Sequence, residues 1–322
     1  VPRPRVLVTR RWPEAVERRI AERFDAVFNE ADRPLSQAEL AAAMAEFDVL
    51  CPTVSDRIDA EVIGGGKRVK LIANYGVGFD HIDTDAAGAQ GIAVTNTPGV
   101  LTDATADLAL TLILMAARRA GEGERQVRAG AWYGWGPTHL LGSSLRDKVL
   151  GLVGFGRIGI ATARRAHHGF GMKIAYYARR EGDPEIAREL DAEFHPDLTG
   201  LLAASHFVSL HVPGGGATEG LIGEAALSAM RPGAYLINTA RGGIVDHAAL
   251  AAALREGRIA GAGLDVYPAE PQVPEELLGL ENVVLLPHLG SATRETRIAM
   301  GERALANMIA WAEGEPLPDR VV

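Results

Sequence analysis

LVGFGRIG, residues 152–159, is an apolar run that ends in Gly-x-Gly-x-x-Gly. The run starts at Val149, so VLGLVGF (149–155) reads as a buried strand, and IGIATARRAHHG (158–169) continues it with helical spacing. A strand, a glycine turn and a helix form the context in which this motif holds a dinucleotide. Gly154 permits the tight turn, Gly156 lets backbone approach a pyrophosphate, and Gly159 lets the helix pack close to the strand. Phe155 lies within the turn, and Arg157 and Ile158 open the helix, whose unpaired N–H groups and partial positive charge favour phosphate. A ligand-free glycine turn is the alternative. The next strand, KIAYY (173–177), stands at the distance the binding reading requires.

In an NAD site that next strand ends in an acid that bonds the ribose 2′-hydroxyl. Here it ends in Ala178-Arg179-Arg180. An acid would repel a 2′-phosphate, whereas a small residue followed by arginine gives it room and a cationic partner. Arg179 and Arg180 therefore point to NADP(H), with NAD(H) as the secondary cofactor. The competing reading is a solvated surface pair tied to Glu181.

Outward from this unit, short apolar runs alternate with helical patterns. RVLVT (5–9), DVLCPT (48–53), KLIANYGVG (70–78) and IAVTNTP (92–98) read as one set of strands, with a helix over AVERRIAERF (15–24). VLGLVGF, KIAYY, FVSLHV (207–212), AYLINTA (234–240), AGAGLDV (260–266) and VVLLP (283–287) form a second set. Between the sets a long helix is expected from about 103 to 120, capped by Thr102 or Asp103, stopped at Gly121, and buried between domains or at a subunit contact. A last helix is expected over about 292–313. The fold class is α/β, with two Rossmann-like doubly wound parallel-sheet domains and an interdomain cleft. Residues 101–288 form the dinucleotide-binding domain, inserted into a discontinuous substrate domain of 1–100 and 289–322.

Composition narrows the function. Among 322 residues the net charge is −8, which disfavours nucleic acid and anionic membrane as partners. The single cysteine, Cys51, excludes an intramolecular disulfide and a Cys-based zinc site; no metal is expected, and a reducing cytoplasm suits it. The longest apolar segment, LALTLILMAA (108–117), is too short to span a bilayer, and no apolar stretch of a secretory signal follows VPRPRVLVTRR (1–11).

Reactive side chains collect after the late strands. Arg241 follows AYLINTA, Asp265 and Glu270 follow AGAGL, and His288 follows VVLLP. Ligand groups in open α/β sheets gather at such carboxyl ends. An arginine for a carboxylate, a histidine to protonate a carbonyl oxygen, and an acid to hold the imidazolium suit reduction of a 2-oxo acid. Taken singly, each has an ordinary structural reading: a strand cap, a surface acid, a loop histidine.

NYGVGFDHID (74–83), TDATADLALTLIL (102–114), GLVGFGRIG (151–159), LINTARGGIVD (236–246), GLDVYPAEP (263–271) and LPHLGSAT (286–293) together resemble the D-isomer-specific 2-hydroxyacid dehydrogenase family, most of all its glyoxylate/hydroxypyruvate reductase branch. The resemblance covers essentially the whole chain. It implies that Arg241, Glu270 and His288 are the catalytic set, and that the backbone N–H groups of Val77 and Gly78 take the substrate carboxylate. It implies that Thr105, Thr239, Ala240, Asp265 and Gly290 line the cofactor, Asp265 near the nicotinamide carboxamide. Val212 and Pro213 lie under the adenine side, in HVPGGGAT (211–218). There Gly214-Gly215-Gly216 departs from the family's Leu-Thr-Pro, and a more mobile loop is expected. Trp135, in WYGWGP (132–137), matches a tryptophan that reaches across a homodimer to the partner's substrate site; dimer-core packing is its other reading. Val54 and Trp135 are expected to line the substrate pocket. Glu270 departs from the glutamine of the formate dehydrogenase branch, and no regulatory C-terminal domain is expected after residue 322. The rival class is a nucleotide-sensing, corepressor-like binding protein, which turnover would separate from an enzyme.

Overall fold

The computed structural model describes residues 3–322. It divides into two compact units, Val1–Leu101 with Ser291–Val322, and Thr102–Gly290. The boundaries fall at 101/102 and 290/291, because the turn 288–290 is tied by hydrogen bonds to the second unit.

In the first unit, β1 (Arg5–Val8), β2 (Asp25–Phe28), β3 (Val49–Cys51), β4 (Leu71–Ala73) and β5 (Ala93–Thr95) form an all-parallel sheet in the order β2-β1-β3-β4-β5. The central strands are apolar on both faces, as helix-covered parallel strands must be: Val49, Leu50 and Cys51 are fully buried, as are Leu71, Ile72 and Ala73. The helix Arg294–Glu313 starts at Thr293, whose side chain accepts from the Thr296 N–H, and ends at Gly314 in the left-handed region. The chain then returns to β5, where Val321 N–H donates to Val94 at 2.7 Å and Val94 N–H to Val322 at 3.2 Å. This return is locked by buried Asp319, which accepts from Arg303 at 2.6 and 2.9 Å and from the Asn307 amide at 2.9 Å.

In the second unit, β6 (Val149–Val153), β7 (Lys173–Tyr177), β8 (Glu193–His195), β9 (Phe207–Leu210), β10 (Tyr235–Asn238), β11 (Gly261–Leu264) and β12 (Val283–Leu285) run parallel in the order β12-β11-β10-β9-β6-β7-β8. The order reverses between β6 and β9, which pair Val153 with Leu210, and the glycine motif leaves the sheet at that crevice. Short β2 and β8 were not legible as strands: both are edge strands with half-exposed residues and little apolar pattern.

The expected helix over 103–120 is two helices. The first, Thr102–Ala117, packs Leu112 and Ile113 into the core of the second sheet, so its apolar face is covered within this unit. Gly263 of β11 leaves space for it; a Cβ there would stand 2.9 Å from that of Leu112. Arg119 then takes a left-handed φ of 53°, and a second helix runs over Ala120–Arg128, through Gly121. The break has a physical cause: the chain crosses the helix end at Gly142, and Ser143 N–H donates to the Ala117 carbonyl at 2.8 Å. Among the described residues no helix is long and apolar enough to cross a membrane, and no three His, Cys, Asp or Glu side chains are gathered to hold a metal ion.

Asp319→Ala removes three hydrogen bonds from the return, although the Asn307 amide keeps the Arg303 carbonyl and the guanidinium keeps access to water. It is expected to cost about 2 kcal/mol in the unfolding transition of the first unit. A loss below about 0.5 kcal/mol would contradict the lock.

Candidate active site

β10, β11 and β12 are neighbours, and Arg241, Glu270 and His288 follow their carboxyl ends in turn. Asn238, fully buried at the end of β10, shapes the first turn: its amide donates to the Arg241 carbonyl at 2.8 Å and accepts from Ala240 N–H at 3.0 Å. Gly242 comes next, where a Cβ would lie 2.0 Å from the Tyr267 carbonyl carbon. Only glycine lets the Arg241 turn rest on the loop that carries Glu270.

That loop is itself braced. Tyr267 N–H donates to Glu270 Oε1 at 3.0 Å, and the Tyr267 hydroxyl donates to the Leu286 carbonyl at 2.9 Å. Glu270 Oε2 meets His288 Nδ1 at 2.7 Å. His288 has φ 55°, a strained conformation for a residue with a side chain. The strain is held by buried Asp265, whose carboxylate accepts from Leu289 N–H at 2.6 Å and Gly290 N–H at 2.8 Å. His288 N–H donates to the Asp265 carbonyl at 2.9 Å, and the Thr105 hydroxyl to the Gly290 carbonyl at 3.1 Å.

The two acids are driven apart. Burial pushes the Asp265 carboxyl up, and two backbone N–H groups with the nearby His288 only partly offset this. Burial also pushes Glu270 up, but the His288 hydrogen bond and charge, the Tyr267 N–H and the Arg241 charge outweigh it and hold Glu270 below the usual carboxylate range. Glu270 is thus the ionised partner of the histidine at neutral pH.

The glycine motif sits at the end of β6. Gly154 has φ 102°, and a Cβ on it would stand 2.6 Å from the His211 carbonyl oxygen; one on Gly159 would stand 2.4 Å from the Gly154 oxygen. A Cβ on Gly156 would meet nothing within 4 Å, so that side of the loop is open. Arg157 and Ile158 open the helix Arg157–Arg164, which has no side-chain cap. The Thr239 hydroxyl, beside Ala240, is buried without a partner. An open glycine cradle, an uncapped helix start and an orphaned hydroxyl are what a dinucleotide would fill, so these residues fit the cofactor.

Phe155 stacks on Tyr176 with centroids 3.9 Å apart. Below the loop, burial pushes the His211 imidazole down to about 4, so it is neutral at physiological pH. A Cβ on Gly154 would also stand 3.1 Å from the side chain of Val212, which leads to Pro213. The triple-glycine loop, expected to be mobile, carries a staple: the Thr218 hydroxyl reaches the Pro213 carbonyl at 2.7 Å and the Gly215 carbonyl at 3.1 Å. Arg179 and Arg180 are exposed just past β7, and among the described residues neither is tied into an ion pair.

A model of the D-isomer specific 2-hydroxyacid dehydrogenase NAD-binding domain matches residues 110–290. The chain is 48% identical to a glyoxylate reductase of Thermococcus litoralis, over 99% of this chain and 97% of that one. The chain belongs to the D-isomer-specific 2-hydroxyacid dehydrogenases. This dehydrogenase also resembles the NADPH-dependent glyoxylate/hydroxypyruvate reductase of Sinorhizobium meliloti, solved with NADP and malonate (TM-score 0.88, 38% identity, 99% and 97% of the two chains). The D-mandelate dehydrogenase of Rhodotorula graminis is similar as well (TM-score 0.87, 34% identity, 100% and 98%). The protein is an NAD(P)-dependent oxidoreductase with a Rossmann-like cofactor domain.

Within the second unit, the dehydrogenase brings together Arg241, Glu270, His288, Asp265, Gly290 and Thr105. Trp135 is not among them; it is 85% exposed on the irregular segment after the helix Ala120–Arg128. Val54, Val77 and Gly78 lie in the first unit, Val54 beside Gly76 on the loop after β4. Sequence reasoning missed Tyr267 as the brace of Glu270, because its position among prolines gives no periodic signal. It also passed over Asn74, a polar residue closing an apolar strand, which was the available clue.

Glu270→Gln is expected to lower kcat on the order of 100-fold, with affinity for the reduced nicotinamide cofactor within about twofold. The sign of the pH effect follows from a folded-state value that is depressed. Glu270 stabilises the fold above its unfolded-state value of about 4.3. That contribution is lost as pH falls through the lower folded value. The wild type's stability margin over Glu270→Gln should be full at neutral pH and shrink with acidification. A margin that grows in acid would contradict the ion pair.

Proposed function

We propose that this enzyme reduces glyoxylate and hydroxypyruvate to glycolate and D-glycerate, preferring NADPH and accepting NADH. The observation that carries the reading is the 2.7 Å His288–Glu270 pair beside Arg241, in a chain alike over nearly its full length to proteins named glyoxylate reductase.

In this reading the Arg241 guanidinium grips the substrate's carboxylate and carbonyl oxygen. The backbone N–H groups of Val77 and Gly78 are read as the first unit's carboxylate donors. The reduced nicotinamide, when bound, supplies the hydride for the carbonyl carbon. His288 turns its Nε2 to the carbonyl oxygen and gives up the proton as negative charge develops there. Glu270, through Nδ1, keeps the ring in that orientation. Asp265 pins the His288 turn, and with Thr105, Thr239, Ala240 and Gly290 it would line the nicotinamide side of the cofactor site. Val54 limits the room beyond the substrate.

Arg179 and Arg180 would pair with the 2′-phosphate of NADPH; their exposure and lack of acidic partners among the described residues support this. Val212 and Pro213 carry the adenine side. Trp132, Trp135 and Leu141, 54%, 85% and 66% exposed along one segment, support a homodimer in which Trp135 reaches the partner's substrate site. Buried, unpaired Cys51 suits a cytoplasmic setting.

Steady-state reduction of glyoxylate with each cofactor tests the reading. Wild type should favour NADPH, and Arg179→Ala/Arg180→Ala should lose about tenfold or more of kcat/KM for NADPH with little change for NADH. Equal use of both cofactors by the wild type would reduce the arginines to surface charge.

A further inference from the structure

The loop after β4 is held by side-chain amides. Asn74 is fully buried at the end of β4. Its Nδ2 donates to the Gly78 carbonyl at 2.9 Å and to the Gly76 carbonyl at 3.1 Å. The carbonyl between them, Val77, accepts from Asn96 Nδ2 at 2.8 Å. Asn74 Oδ1 lies 3.0 Å from His81 Nε2, so a histidine N–H on Oδ1 fixes which end of the amide faces the loop. Asn96 is anchored in turn, because its own N–H donates to the Asp319 carbonyl at 3.3 Å.

Three successive carbonyls are thus each fastened to an amide of the unit's body. In a trans peptide the C=O of one residue and the N–H of the next point in opposite directions. Fastening the carbonyls of Gly76, Val77 and Gly78 therefore turns the N–H groups of Val77, Gly78 and Phe79 away from those amides. Among the described residues none of these three N–H groups donates to another group of the protein, which leaves them available to an anion. Glycine at 76 and 78 leaves such a loop floppy on its own, and the amides supply the order that its sequence lacks.

We propose that Asn74, seconded by Asn96, is the positioning residue that sets the carboxylate-binding backbone of the Val77–Gly78 loop, and so sets affinity for the 2-oxo acid without touching it. This rests on the reading of that loop as the carboxylate site. A preset donor array binds an anion without first ordering the loop, so loss of the amides should appear in substrate affinity rather than in the hydride step.

The test compares Asn74→Ala and Asn96→Ala with the wild type, and with Asn282→Ala as control. Asn282 also caps carbonyls, those of Leu254 and Ala260, but in the second unit. The readouts are KM for glyoxylate, kcat, NADPH affinity, and direct binding of oxamate to the NADPH-loaded protein. Asn74→Ala should raise KM and the oxamate Kd about tenfold or more, with kcat within about threefold and NADPH affinity unchanged. Asn96→Ala should shift both in the same direction; being only half-buried, it serves if Asn74→Ala does not fold. Asn282→Ala should lower thermal stability and leave both constants alone. Unchanged KM and oxamate binding in the loop variants would overturn the proposal while leaving the reductase reading intact. A wild type that neither reduces glyoxylate nor binds oxamate would overturn both.

Discussion

The site depends on one carboxylate that never faces solvent. Asp265 takes the N–H groups of Leu289 and Gly290, and its own carbonyl takes that of His288. Those three bonds hold a histidine at φ 55°, a backbone that residues with side chains adopt uncommonly. From that turn the imidazole meets Glu270, and Glu270 is in turn held by Tyr267 and by the neighbouring Arg241 turn. Burial makes Asp265 an expensive place for charge, and two short N–H contacts are the compensation.

The same logic, buried polar groups spent on loop geometry, recurs around the molecule. Asn238 shapes the Arg241 turn, Asn74 and Asn96 shape the loop after β4, and Thr218 staples the triple-glycine turn. In each case a glycine-rich segment carries the open backbone and a neighbouring side chain removes its freedom. Rigid parallel strands then fix where each such loop begins.

The buried parallel strands of both sheets could be read from sequence because helix-covered strands are apolar on both faces, and KIAYY and FVSL are such runs. The glycine motif was legible because strand, turn and helix stood in the right order, and the strand-end residues because their motifs are specific. What sequence hid was long-range. The helix expected to reach residue 120 stops at Ala117 because a segment from far along the chain crosses it at Gly142. The Tyr267 brace, the Asn74 clamp and the Asp319 lock join residues whose spacing carries no period. Edge strands β2 and β8 lack the double-sided apolar pattern that marks the central ones.

The most direct test of the chemistry is the configuration and rate of the product formed from hydroxypyruvate and NADPH by wild type and His288→Ala. If, as proposed, Arg241 holds the carbonyl with one face toward the hydride and His288 gives the proton, D-glycerate alone should form. His288→Ala should form it on the order of 100-fold more slowly or worse. An unchanged rate in the variant would contradict the assignment of His288 as the proton donor, and L-glycerate or a racemic product would contradict a carbonyl held in one orientation toward the hydride.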